Sequence, residues 1–214
     1  EPQYNELLRR STNLRASTSL KIGLNHSDII FIVVQTPNSG GHRFYDHSIL
    51  SNLLCSINEE KVHNKEIIIG CTIMPTYIDQ VGRYLLSQCT NCHLSYNPEF
   101  IAQGSIIKDF QNPDMVLIGT ESDNLKNRIK TIYLDMCSNI PVFKFTTPLE
   151  AEIIKIGLNS FVTTKISFAN MVADLCDEMG ANKNTVLDAI GSDSRIGNKY
   201  FKAGFSFGGP CFPR

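Results

Sequence analysis

Apolar residues along the chain fall into two periods, and the period changes repeatedly. Asp28-Ile29-Ile30-Phe31-Ile32-Val33-Val34 is a short continuous apolar run that Thr36-Pro37 breaks, the pattern of a strand buried on both faces. Residues 43–58 then read as a helix. Lys65–Thr72, with Ile67-Ile68-Ile69 at its centre, predicts a second strand ending before Pro75, and 77–89 a second helix. A short strand at Leu94–Tyr96 leads to Asn97-Pro98. Met115–Gly119 predicts a fourth strand, 122–137 a helix and Val142–Phe145 a last strand. Strand alternating with helix predicts an α/β domain whose sheet is parallel and covered by helices on both faces, the second half of a doubly wound fold.

The pattern changes at Thr147-Pro148-Leu149-Glu150. Threonine at the N-cap, proline at the first helical position and glutamate two residues later form a capping box. A long helix is expected from 148 to 179, stopped by Gly180. Ile154, Leu158, Phe161, Val162, Ile166, Phe168, Met171, Val172, Leu175 and Met179 recur along it at helical period. That apolar surface is wider than one covering neighbour needs, so it is shared within the monomer or with a second copy. Asn182 can cap a further helix through Ile190, and the remainder is rich in loops. Two domains follow, residues 1–147 and 148–214, the second small and helical.

Composition narrows the class. The 214 residues, 42% hydrophobic, are enough for a packed core, and a net charge of −1 gives no bulk field that would draw nucleic acid or an anionic membrane. No apolar run approaches the length of a membrane span, and no signal peptide is visible. Seven cysteines, an odd number without regular spacing, point to reduced thiols and a cytoplasmic setting. Cys89-Thr90-Asn91-Cys92 is a CxxC pair, but no second pair follows at zinc-finger spacing, so no metal site is expected.

Two groups of residues could carry chemistry. Cys211 follows a Gly208-Gly209-Pro210 turn, where the missing Cβ atoms let the backbone approach a ligand closely. A thiol on such a loop is either a nucleophile or a buried, inert side chain. Lys155 and Asn159 lie four apart and so share one helix face, either as donors to a developing oxyanion or as a solvated surface.

The order of short motifs adds to this reading. Thr36-Pro37, Cys71-Thr72-Ile73-Met74-Pro75, Asn97-Pro98-Glu99-Phe100, Glu152-x-x-Lys155-x-x-x-Asn159, Arg195-Ile196-Gly197 and Gly208-Gly209-Pro210-Cys211-Phe212 occur in the order and spacing of the UDP-glucose and GDP-mannose dehydrogenase family. The resemblance covers essentially the whole chain. It implies that residues 1–147 are part of a Rossmann-like NAD-binding domain and 148–214 a central dimerisation domain ending at the cysteine loop. The family's Gly-x-Gly-x-x-Gly turn is not found here, its aspartate after the cysteine falls just beyond Arg214, its second glutamate after Pro-Glu-Phe is Gln103, and the proline after Thr72 is shifted by one. By this resemblance the chain is expected to be an internal fragment, inactive alone for want of the glycine turn that holds a pyrophosphate.

The resemblance also implies roles. The reaction would be NAD-dependent oxidation of a nucleotide sugar, UDP-glucose first and GDP-mannose or a UDP-amino sugar as alternatives. Cys211 would be the nucleophile, Lys155 and Asn159 the oxyanion donors, Glu99 a base and Thr72 a water-positioning hydroxyl. Glu99, Phe100, Gln103, Lys155, Asn159, Arg195, Lys202, Phe205, Phe207 and Gly208 would contact the sugar nucleotide. Val34, Gln35, Thr36, Pro37, Cys71, Thr72 and Gln103 would line the NAD site. A homodimer through the long helix is implied. Two rivals remain at this point: a hydroxyacid dehydrogenase of the 6-phosphogluconate type, which lacks the cysteine loop, and a truncated product that only dimerises.

Overall fold

The computed structural model describes residues 3–41, 44–102, 104–208 and 212. They divide into two units, 1–39 with 45–153 and 40–44 with 154–214.

The first unit opens with two seven-residue helices, α1 (Tyr4–Arg10) and α2 (Leu20–His26). The apolar pattern gave neither, because α1 buries no residue and α2 only Leu24. Then come β1 (Ile29–Ile32), α3 (Ser48–Glu59), β2 (Glu66–Ile69), a π-helical turn (Ile78–Gly82) continuing into α4 (Arg83–Leu85), β3 (His93–Tyr96), α5 (Ile106–Gln111), β4 (Met115–Gly119), α6 (Asp123–Met136) and β5 (Val142–Thr146). Helix α3 starts at Ser48 rather than 43, where the Asp46 carboxylate accepts from the Ser48 N–H at 2.9 Å. Among the described residues no helix is long and apolar enough to cross a membrane.

The five strands lie in chain order. β1, β2 and β3 are parallel, as are β4 and β5, but β3 and β4 meet antiparallel through Tyr96 and Gly119. The expectation of a wholly parallel sheet is corrected at this pair. Periodicity reports which residues are buried and not which way a strand runs. Between β3 and β4 the six-residue α5 stands where a parallel return uses a long crossover helix.

All four residues of β2 are buried, so this interior strand is covered on both faces. Ile68 packs with Val116 and Ile118 of β4 and with Leu125 and Ile129 of α6. Ile67 and Ile69 point to the opposite face and are equally inaccessible. Polar ties fix the strand ends. The Ser122 hydroxyl, at the N-cap of α6, donates to buried Glu66 at 2.6 Å and accepts from the Leu125 N–H. Arg128 grips Asp28 through both guanidinium nitrogens, holding that carboxyl down to about 2.

α7 (Pro148–Met179) crosses the division between the units. Its capping box forms as expected. The Thr147 N–H donates to Glu150 at 2.8 Å, and the Glu150 N–H donates to the Thr147 hydroxyl. It ends at Gly180, whose φ of 71° suits a residue without Cβ. Asn182 accepts from the N–H groups of Asn184 and Thr185 and so caps α8 (Lys183–Gly191). In the second unit Ala169 and Ala173 of α7 pack with Leu187 of α8 and Phe201, the small residues permitting close approach.

Gly119 closes β4 under the start of α7. A Cβ there would lie 2.7 Å from Ala151 Cβ, 2.8 Å from Pro148 Cα and 2.9 Å from the Thr147 carbonyl oxygen. Two of these neighbours are backbone and cannot step aside. Gly119→Ala should therefore lower unfolding stability by about 1–3 kcal/mol. Urea denaturation followed by circular dichroism measures this, and an unchanged midpoint would show that the helix shifts freely.

Candidate active site

The parallel ladder brings three strand ends to one edge. Ile32, Ile69 and Tyr96 are aligned, and the pattern continues one residue further, with Gly70 N–H donating to Ile32 and Asn97 N–H to Ile69, each at 2.9 Å. Residues 33–38, 70–73 and 97–100 thus leave the sheet together at the carboxyl ends of parallel strands, where open α/β sheets bind ligands. From β1 come half-buried Val34, exposed Gln35, buried Thr36 and half-buried Pro37. Cys71 is buried beside Val34, whose N–H faces its sulfur. Burial pushes this thiol up to about 11, with the Glu99 carboxylate adding to the effect, so little of it is thiolate at neutral pH. Thr72 is half-buried next to it.

Two buried side chains hold this edge in shape. Asn97 is 4% exposed; it donates to the Leu117 carbonyl at 2.9 Å and accepts from the Tyr133 hydroxyl at 2.7 Å. It thereby fixes the turn that presents half-buried Glu99 and Phe100. Burial raises the Tyr133 phenol to about 12, so it remains a donor. Glu152, on the first turns of α7, is buried and accepts from the Thr76 N–H at 2.6 Å and the Ile78 N–H at 2.9 Å. It anchors the segment after Thr72 at the start of the π-helical turn. Burial raises its pKa and the two amides oppose the rise. The motif spacing contained Glu152, but nothing local showed that its partners lie 76 and 74 residues away.

In the second unit Lys155 and Asn159 occupy one face of α7, a turn apart. Lys155 is only 8% exposed and Asn159 half-buried. Arg195 sits in a turn closed by Ile196 and Gly197 N–H donating to the Asp193 carbonyl, each at 2.9 Å. Its guanidinium folds back on the Asp193 carboxylate and is 86% exposed. Two residues missed by sequence reasoning hold this region. Lys165 donates to the carbonyls of Ile196 and Gly197 at 2.9 and 3.0 Å, and its ammonium stands over the Phe201 ring. Asn170 accepts from the Gly204 N–H at 2.9 Å. Lys202, Phe205 and Gly208 are exposed and Phe207 is half-buried. Cys211 and Gln103 lie outside the described residues. The structure thus groups Val34, Cys71, Thr72 and Glu99 in one unit, and Lys155 with Asn159 in the other. Arg195 is engaged by its own neighbour.

Residues 1–137 match the model of the UDP-glucose/GDP-mannose dehydrogenase family, NAD binding domain, and residues 149–214 that of the same family's central domain. The UDP-glucose 6-dehydrogenase of Rickettsia bellii (strain RML369-C) is 34% identical over 194 residues, which are 89% of this chain and 44% of that protein. A UDP-glucose dehydrogenase structure from the archaeon Pyrobaculum islandicum superposes with a TM-score of 0.90 at 28% identity, over 100% of this chain and 50% of that one. A GDP-mannose dehydrogenase from Pseudomonas aeruginosa does so with a TM-score of 0.83 at 26% identity, over 100% and 51%. The chain spans about half the length of the curated relatives it matches.

The raised pKa of Cys71 has a direct chemical reading. At pH 8 about one such thiol in a thousand is ionised, and the fraction grows about tenfold per unit up to its pKa. Iodoacetamide at pH 8 should modify exposed Cys55 and leave Cys71 untouched, with Cys71 labelling accelerating about tenfold per unit between pH 8 and 10. Peptide mass spectrometry reads both. Equal labelling of the two cysteines at pH 8 would contradict the buried placement.

Proposed function

The chain belongs to the UDP-glucose/GDP-mannose dehydrogenase family, and on that premise we propose that the whole protein oxidises the primary alcohol of UDP-glucose to the carboxylate of UDP-glucuronate, with two NAD consumed per turnover. The observation that carries this reading is the burial of Lys155. An exposed Lys–Asn pair would be a solvated helix face, but a lysine with 8% of its surface accessible has given up most of its hydration. Its ammonium is suited to hold oxyanion character that develops next to it, with the Asn159 amide as a second donor one turn away.

Bound NAD would supply the hydride acceptor. The edge at 34–37 and 71–73 fits a ring and its ribose: Val34 and Pro37 offer an apolar wall and Thr72 a half-buried hydroxyl. The remaining work falls to side chains. Once the alcohol has become an aldehyde, the Cys211 thiolate adds to the carbonyl carbon, and the resulting alkoxide is held by Lys155 and Asn159. Loss of the second hydride leaves a thioester. Water then attacks the acyl carbon, Glu99 takes its proton, Thr72 positions it, and the thiol of Cys211 departs with the carboxylate product formed. Arg195, Lys202 and the 204–208 loop, together with Phe100 and Gln103, bind the sugar nucleotide. GDP-mannose or a UDP-amino sugar remains the alternative substrate, since a cysteine adduct mechanism serves each of them.

A second copy completes the assembly in this reading. Phe161, Phe168, Met171, Leu175 and Met179 form an exposed stripe on α7, with Gly157 and Thr164 between them. These positions fall within roughly a quarter of the helix circumference, a seam for an equivalent helix. The protein acts in the cytoplasm, where its cysteines stay reduced.

Three experiments test this. In the whole protein, Cys211→Ser should bind UDP-glucose normally and turn over at least ~100-fold more slowly, about 2.7 kcal/mol of barrier, stalling at an enzyme-bound aldehyde or ester visible by mass spectrometry. Lys155→Met should lower kcat by about 10²–10³-fold. Near-normal NADH formation by the serine variant would make Cys211 structural, and NADH formed from GDP-mannose but not UDP-glucose would move the substrate. The helix seam is tested by sedimentation: the protein should be a dimer at micromolar concentration, and Phe161→Glu with Met171→Glu a folded monomer. A wild-type monomer at high micromolar concentration would remove the second copy.

A further inference from the structure

The CxxC pair has no part in the chemistry above, and it is built into the fold. After α4 the chain turns, with Cys89 N–H donating to the Leu86 carbonyl at 2.9 Å. The turn is then pinned from the 62–64 segment: Thr90 N–H donates to Val62 and Asn64 N–H to Thr90, each at 3.1 Å, and the Asn91 amide bonds Asn64. Asn91 has a φ of 52°, a left-handed conformation that asparagine tolerates, and it folds the chain back so that Cys92 returns beside Cys89. The Cys89 sulfur approaches the Ile57 carbonyl, the Cys92 sulfur donates to the carbonyls of Val62 and Thr90 at 3.6 and 3.5 Å, and Cys92 is near enough to Cys89 to raise its pKa. Both are half-buried, and both line one pocket of about 280 Å³, open to solvent, whose wall includes Arg83, Ser87 and Leu94.

The chemistry of this site follows from what surrounds the sulfurs. Among the described residues no group of three His, Cys, Asp or Glu side chains could hold a metal ion, so the pair lacks the further ligands of a zinc site. Adjacent free thiols on a pinned turn, reachable from solvent, are instead the arrangement that thiol–disulfide exchange needs. We propose that Cys89 and Cys92 form a dithiol that reacts reversibly with small-molecule disulfides and closes into an intrachain disulfide across the turn before β3.

The Cys92 sulfur, its proton lost to solvent, attacks one sulfur of a disulfide RSSR; the RSSR bond breaks, one RS⁻ leaves, and a Cys92–SR mixed disulfide forms. The Cys89 sulfur gives up its proton and attacks the Cys92 sulfur; the Cys89–Cys92 bond forms and the second RS⁻ leaves. Two protein thiols are oxidised and RSSR is reduced to two RSH. Burial, with the neighbouring Cys92 sulfur adding to it, pushes the Cys89 thiol up from its ordinary value.

The test uses the 214-residue chain equilibrated over a range of oxidised-to-reduced glutathione ratios, quenched in acid, alkylated and digested with trypsin. Both cysteines fall in one peptide, 84–108. That peptide should lose two hydrogens and gain no alkyl groups, reversibly with dithiothreitol. The Cys89→Ser variant should retain a glutathione adduct on Cys92. The native chain should be half-oxidised at a ratio at least about tenfold lower than the urea-unfolded chain, because the fold holds the sulfurs together. Retention of both thiols at the most oxidising ratio, absence of the Cys92 adduct in Cys89→Ser, or equal ratios for native and unfolded chains would each overturn the proposal.

Discussion

Burial of β2 on both faces governs the first unit. With Ile67, Ile68 and Ile69 inaccessible, no polar side chain can sit in the body of that strand without a partner, and polar groups are driven to its ends. At one end Glu66 meets the Ser122 hydroxyl that caps α6. At the other, the chain leaves through Gly70 and Cys71 toward Thr72. The same constraint acts on β3, where Ser95 bonds the Thr120 hydroxyl at 2.8 Å and Asn97 bridges Leu117 and Tyr133. Each tie answers a desolvated polar group, and together they set where the three carboxyl ends emerge.

The loops of that edge are held by buried side chains as well as by loop residues themselves. Glu152 accepts two backbone amides from the segment after β2, charge-assisted bonds in a dry setting that are stronger than neutral ones. Asn97 does the equivalent for the turn that carries Glu99. Candidate chemistry on a loop needs such support, since a loop without it would sample many positions.

The second unit solves a related problem differently. Its turn at 193–197 is exposed, and the stabilising contacts come from Lys165 below, which satisfies two carbonyls and rests on the Phe201 ring. Asn170 serves the Gly204 amide in the same way. Both residues lie on α7, so one helix carries the buried Lys155, the half-buried Asn159 and the supports of the loop that follows. A long continuous helix can do this because residues one turn apart stay in fixed relation over its whole length.

Local signals in the sequence were enough for the five strands and for α3, α6, α7 and α8, but not for α5, nor for the π-helical turn and short α4 found where a helix over 77–89 is expected. The capping box at Thr147–Glu150, the stop at Gly180 and the Asn182 cap bounded α7 and α8 to within a residue, and the apolar run Met115–Gly119 marked β4 as observed. The order of short motifs was enough for the family, because each motif is a local string. Short α1 and α2 carried too little buried surface to leave a pattern. What the tertiary structure alone decided were the antiparallel meeting of β3 with β4, the grip of Glu152 on amides 76 and 74 residues away, the hold of Lys165 and Asn170 on residues more than 30 positions later, and the burial of Lys155. Periodicity and capping act over one or two turns of chain, whereas these contacts exist only once distant segments close on one another, and no local preference encodes which segments those are.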